Sequence, residues 1–166
     1  MAPEETTDAN AAQRTGQVQR LIDRLTTTSP IYNILLSPIV LSRVSPGVVV
    51  TRLTLTDTHV NSRGSLHGAV SAAIVDFTTG LAIASWDMRD ATGSSVDMHI
   101  SYLSTAAVGD TVEIEATAER VGGSLAYTTM RITRLGKDGE EDKLVVLGQH
   151  TKFVKGTAPA APAKMA

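Results

Sequence analysis

Asn61-Ser62-Arg63-Gly64-Ser65-Leu66-His67-Gly68-Ala69-Val70 leads into an apolar run that carries one carboxylate, Asp76, and no other charge from Gly68 to Ser85. Val70, Ala73, Ile74, Phe77, Leu81 and Ala84 recur at the spacing of one helix face. The segment from His67 to about Trp86 is therefore expected to be a long helix with that stripe on the core. A second stripe, Ala69, Ala72, Asp76, Thr79 and Gly80, is small and polar. It permits close approach of a sheet or of another subunit, and Asp76 projects from its middle. A carboxylate in such a helix needs a polar partner or a task.

The flanks read differently. Residues 1–15 are polar and are expected to be a disordered tail, after which Val18, Leu21, Ile22 and Leu25 repeat as a short amphipathic helix. Ser29-Pro30 interrupts it, and Ile31 to Leu36 reads as another helical turn. Ile39-Val40-Leu41-Ser42 and the β-branched run Val48 to Leu55 form a hairpin about the Ser45-Pro46-Gly47 turn. After the helix come four strand segments: Ser94–Leu103, Thr111–Val121, Ser124–Leu135 and Leu144–Val154. A strand pair, one long helix and four further strands with short connections give an α+β fold, an antiparallel sheet wrapped around a single helix. The expected organisation is one domain over 16–155, with a disordered Ala/Pro-rich tail over 156–166.

Composition excludes several classes of function. A net charge of −2, with two Phe, three Tyr and one Trp, provides neither a basic field nor a base-stacking surface, so no nucleic-acid partner is expected. The absence of cysteine removes disulfides, zinc-thiolate sites and cysteine nucleophiles. Met1 to Gly16, with Glu4, Glu5 and Asp8, lacks the basic start and apolar core of a signal peptide. No run reads as the roughly 20 apolar residues of a membrane span. A cytoplasmic protein is expected, with a mitochondrial one left open. His59, His99 and His150 have no metal-site spacing, and no metal is expected.

Asn61, Leu66-His67-Gly68, Asp76, Ser95-Val96-Asp97-Met98 and the closing Gly148-Gln149-His150-Thr151-Lys152 resemble the hotdog-fold acyl-CoA thioesterases of the thioesterase superfamily member 2 type, over roughly Val18 to Phe153. The resemblance implies a homotetramer built as a dimer of dimers, with each active site between the helix of one subunit and the loop of its neighbour. It implies an acyl-CoA substrate and no separate cofactor, coenzyme A being part of the substrate. It also implies site roles. Asp76 is the general base or nucleophile, and the Gly68 backbone amide, at a helix N-terminus, polarises the thioester carbonyl. Asn61 and His67 hold the thioester or the water from the partner subunit, and Ser95 hydrogen-bonds near the carboxylate. Contacts to coenzyme A are implied for Tyr102, Ser104, Arg120, Gly122 and Ser124, with Arg120 the candidate phosphate ligand. The chain departs from the family pattern at Thr105-Ala106-Ala107, where a cation is missing, at Gly123, and in an insertion from Gly136 to Asp142.

Read from the residues alone, each position also has a plainer use. Asp76 can bond a Ser or Thr hydroxyl or cap another subunit's backbone. His67 can be an N-terminal structural residue, Asn61 can shape a turn, and Gly68 can serve close packing. Ser95 alternates with Asp97, His99 and Ser101 on a face that can be solvent-exposed. Arg120 can be an ordinary strand end and Gly122-Gly123 a hairpin turn. The expected function is hydrolysis of acyl-CoA, of medium or long fatty or of aryl-acyl chains. The alternative is an acyl-CoA-binding hotdog protein without turnover.

Overall fold

In the computed structural model, residues 3–137 and 139–159 are described, with side chains from Ala9 onward. The order of elements is α1 (Pro3–Thr28), α2 (Pro30–Leu36), β1 (Val40–Ser45), β2 (Val48–Thr54), a 3-10 turn (Asp57–His59), α3 (Gly68–Asp87), β3 (Ser94–Tyr102), β4 (Thr111–Val121), β5 (Leu125–Arg134) and β6 (Lys143–Phe153). The six strands form one antiparallel sheet in the order β1-β2-β4-β5-β6-β3. The first hairpin and β3 thus end at opposite edges, although only the 3-10 turn and α3 separate them in sequence.

The sheet curls around α3. Ile74, Phe77 and Leu81 are buried against inward-facing residues such as Val49, Ile114 and Ile132. Two glycines set the spacing. A Cβ on Gly148 would lie 3.1 Å from Val75 Cγ2, so β6 passes close to the helix there. A Cβ on Gly80 would lie 2.6 Å from the Cβ of Thr92, in the segment leading into β3. The small stripe of α3 is therefore used in two ways. Its C-terminal half packs within the chain, with Gly80 on Thr92 and Thr79 bonded to His150. Its N-terminal half does not: between Ala69 and Ser85 only Ala69, Ala72, Ala73 and Asp76 escape full burial, and they line one face at helical spacing.

The N-terminal expectation is corrected. Helix α1 starts at Pro3, within the segment expected to be a disordered tail, and runs through the later amphipathic turn without a break. Ala9, Ala11 and Ala12 favour it intrinsically. Tertiary contacts hold its middle, where Arg14 and Gln17 donate to the carbonyls of Ser85 and Met88 at the end of α3. Those carbonyls have no partner within the helix, which stops at Met88 in the left-handed region (φ 63°). At the other end, residues 160–166 of the expected tail lie outside the described residues. Thr157 is held by a 2.8 Å bond from Arg89, itself 3% exposed and paired with Asp87.

By length and composition α3 passes for a membrane span, with mean hydropathy 1.4, which the expectation of no such run missed; 72% of that stretch is buried inside the fold as its core helix. The Gly80 contact gives a test. Alanine gains about 1 kcal/mol over glycine as a helix former, but here its methyl meets an atom bonded directly to the backbone. Gly80→Ala is expected to lower unfolding free energy by about 1–2 kcal/mol in urea denaturation.

Candidate active site

Asp76 lies midway along α3 and is satisfied by three elements. Lys152 Nζ of β6, 3% exposed, donates to its Oδ1 at 2.7 Å and to its main-chain oxygen at 3.3 Å. Ser95 of β3 donates to the same Oδ1 at 3.0 Å, and Tyr32 of α2 donates to Oδ2 at 2.6 Å. The carboxylate side chain remains 34% exposed, so a ligand can reach it. Burial pushes its pKa up, but the bonds from Lys152 and Tyr32, the Lys152 charge and the Ser95 bond outweigh that, and it is held below the ordinary carboxylate range. Asp76 is thus an anion at neutral pH with defined orientation.

Ser95 reaches Asp76 because β3 is bulged. Ser95 pairs with Lys152, whereas Asp97 pairs with Thr151, so Val96 is an extra residue that breaks the alternation. A regular strand would have left Ser95 on the outer face with Asp97 and His99, as the plain reading of the sequence had it. The bulge turns Ser95 inward, onto the side of Met98 and Ile100.

The N-terminus of α3 forms a second cluster. His67 is its N-cap, its Nδ1 accepting from Ala69 N at 3.0 Å. With Nδ1 accepting, the neutral ring carries its proton on Nε2. Asn61 Oδ1 accepts from the amides of Arg63 and Ser65 at 2.9 and 3.3 Å and so folds the loop, while its Nδ2 meets no acceptor among the described residues. Leu66 N donates to Ala106 O, and His67 N donates to His59 O. Gly68 is the first helical residue, and its N–H has no intrahelical partner. Tyr102, at the end of β3, donates to Gly68 O at 3.2 Å, and a Cβ on Gly68 would stand 3.2 Å from the Tyr102 hydroxyl.

Within one chain the two clusters stay apart. Gly68 and Asp76 are eight residues apart on one helix, or about 12 Å at 1.5 Å per residue. Ser95 and Tyr102 are seven residues apart on one strand, or about 20 Å. Of the residues assigned to coenzyme A, Ser104 is occupied by a 2.7 Å bond to Leu144 O near the Gly68 cluster. Arg120, Gly122 and Ser124 lie at the other end, on the β4–β5 hairpin. Arg120 is exposed opposite Tyr127, Gly122 N bonds Leu125 O, and Ser124 O accepts from Val154 N. A concavity of about 320 Å³ lies elsewhere again, on the outer sheet face beside Asp97, Glu119 and Tyr127. Among the described residues no three metal-ligating side chains converge.

Tyr32 and Lys152 were not picked out as site residues. For Lys152 a signal exists: in β6, Gly148, His150 and Lys152 alternate with Leu147, Gln149 and Thr151, so the inward face carries a lysine that needs an anion. Tyr32 offers only its hydroxyl, between Ile31 and Asn33, with no local pattern that pairs it with Asp76. His150 lies beside Lys152 on that face, with Nδ1 2.7 Å from Thr79 Oγ1.

The thioesterase superfamily profile matches residues 63–140. Human acyl-coenzyme A thioesterase 13 is 34% identical over 119 residues, 72% of this chain and 81% of that protein. The chain belongs to the thioesterase superfamily. Its hotdog fold agrees with solved members. Zebra fish thioesterase superfamily member 2 superposes with a TM-score of 0.69 at 33% identity, over 78% of this chain and 91% of that one. The same protein from Mus musculus gives 0.70 at 27% identity, over 82% and 96%. The superfamily profile spans Gly68, Asp76 and Ser95 but not Tyr32, Asn61 or Lys152.

His150 generates a prediction. Burial and then the Lys152 charge lower its pKa from 6.5 to about 4, against smaller opposing effects of Asp76 and Asp97. Between those values the unfolded chain binds the proton more readily. The stability due to the neutral ring is therefore complete above pH 6.5 and is lost as pH falls through about 4. Wild type is expected to lose on the order of 2–3 kcal/mol across that window. His150→Gln should show a flatter profile in urea titrations at stepped pH.

Proposed function

We propose that this protein hydrolyses acyl-CoA thioesters to a free acid and coenzyme A, in a site shared by two subunits. The observation that carries the reading is the oriented, ionised Asp76 carboxylate, partly open to solvent, on a helix whose N-terminal amide has no partner among the described residues. In the reaction Asp76 accepts a proton from water as the water oxygen bonds to the thioester carbon. The carbonyl oxygen becomes an oxyanion, held by the N–H of Gly68 and the positive end of α3. Collapse re-forms the carbonyl and breaks the C–S bond, the thiolate leaves, and Asp76 returns its proton to the thiolate or to solvent, which restores the base. Ser95 keeps the carboxylate in register. Asn61 Nδ2 and His67 Nε2–H are further donors, on the loop before α3 and at its N-cap.

About 12 Å separates Gly68 from Asp76, too far for one carbonyl to meet both. A two-fold axis removes the difficulty. Strand β3 is a free sheet edge of nine residues without proline, with Val96 and Tyr102 each 57% exposed. Antiparallel pairing of two such edges sets the Ser95 end of one subunit opposite the Tyr102 end of the other. It also brings together the incompletely buried faces of two α3 helices, Ala69, Ala72, Ala73 and Asp76. Small residues there allow the Gly68 amide of one subunit to approach Asp76 of the other. Pairs of such dimers complete the tetramer implied by the family resemblance.

The names of the relatives, acyl-coenzyme A thioesterases, support the substrate class. Medium or long fatty acyl and aryl-acyl chains are the candidates. Arg120 is the cation proposed for the phosphates. Binding without turnover is the second reading, drawn from the missing cations at Ala107 and Gly123.

A thiol-trapping assay tests the proposal cleanly because the chain has no cysteine. Over a panel of acyl-CoAs, wild type is expected to release coenzyme A, and Asp76→Asn to lose at least about 100-fold in kcat with fold and assembly intact. Wild type that binds acyl-CoA but releases no thiol would establish the second reading instead.

A further inference from the structure

Asp76 holds three hydrogen bonds, and they are unevenly shared. A carboxylate has about four lone-pair positions, two on each oxygen. Oδ1 accepts from both Lys152 Nζ and Ser95 Oγ and is filled, whereas Oδ2 accepts only from the Tyr32 hydroxyl. The open position on this carboxylate is therefore on Oδ2, next to Tyr32.

Tyr32 is itself held in place. Its ring packs edge-on against Phe77, with centroids 5.1 Å apart and planes at 68°. The short helix α2 that carries it is tied to the 3-10 turn, where His59 Nε2 donates to Leu35 O at 2.7 Å and His59 Nδ1 accepts from Thr56 N at 2.9 Å. The phenol, pinned through its ring and its helix, in turn fixes the rotation of the carboxylate.

We propose that Tyr32 is a positioning residue for hydrolysis: its hydroxyl holds Asp76 with Oδ2 as the oxygen that takes the proton from water. The proposal rests on Asp76 being the base. The other groups facing this carboxylate are Lys152 and His150 from β6 and Ser95 from β3. On α3 itself, the next charged residue is Asp87. Tyr32 is the facing group whose bond falls on the reacting oxygen. A hydrogen bond to a carboxylate is stronger than one to the corresponding acid, so the tyrosine favours the charged form and restrains its basicity.

Tyr32→Phe keeps the ring against Phe77 and removes only the hydroxyl. The acid limb of the kcat/KM profile is expected to move up by about one pH unit, the conversion of a charged hydrogen bond into pKa. Because Tyr32 acts through Asp76, kcat should fall about tenfold with KM held within twofold. A second readout needs no activity: the Asp76 carboxyl carbon, assigned by its loss in Asp76→Asn, should titrate higher by the same amount in 13C NMR. If neither limb nor carbon moves, Tyr32 only packs and the proposal is overturned. If the carbon moves while the limb stays, the hydrogen bond exists but does not serve the reaction, which also overturns it. Full activity in Asp76→Asn would locate the failure in the reading of Asp76 instead.

Discussion

The ion pair of Lys152 and Asp76, 2.7 Å apart in the seam between α3 and the sheet, is the contact on which the rest of the architecture turns. A lysine 3% exposed would be costly without an anion, and a carboxylate on a core helix would be costly without a donor. Each answers the other. The pair ties α3 to β6 at the carboxylate on which Ser95 and Tyr32 also converge. It also holds Asp76 ionised, which a base or a nucleophile requires at neutral pH.

A second constraint is distance. The helix N-terminus supplies an amide with no partner among the described residues and partial positive charge, while the carboxylate sits two turns further on. A rigid helix cannot bring those two groups onto a single carbonyl carbon. A chain with both parts and no way to join them calls for a second copy, and the unfinished surfaces of the molecule point the same way. The open β3 edge and the small-residue face of α3 both flank Asp76. In the proposed dimer, symmetry would make two sites from two clusters that are separate in each subunit.

Much of this was legible in the sequence. The 3.6 period from Val70 to Ala84 found α3 almost to the residue, and the β-branched and alternating runs found all six strands. Gly68, Asp76 and Ser95 were singled out by the family resemblance, and the structure places Ser95 on Asp76 and Gly68 at the start of the same helix. What escaped depended on irregularity or on tertiary contact. A bulge at Val96 reverses the side on which Ser95 lies, and strict alternation cannot anticipate an extra residue. Helix α1 reaches back to Pro3, through a polar stretch whose middle is held by donors to the end of α3. Tyr32 is 44 positions from Asp76 in the chain, with no local pattern to pair them.

Subunit complementation tests most directly whether one site draws on two chains. Asp76→Asn removes the base. Gly68→Pro removes the amide donor, at a first helical position that tolerates proline, after His67 in the extended conformation proline requires (φ −72°, ψ 135°). Each variant alone should be inactive. When the two are unfolded together in equal amounts and refolded, half of the dimers are hybrids with one intact and one doubly damaged site, so activity should return to roughly a quarter of wild type. Activity that stays at the level of the separate variants, with hybrids demonstrated by mass spectrometry, would contradict the account.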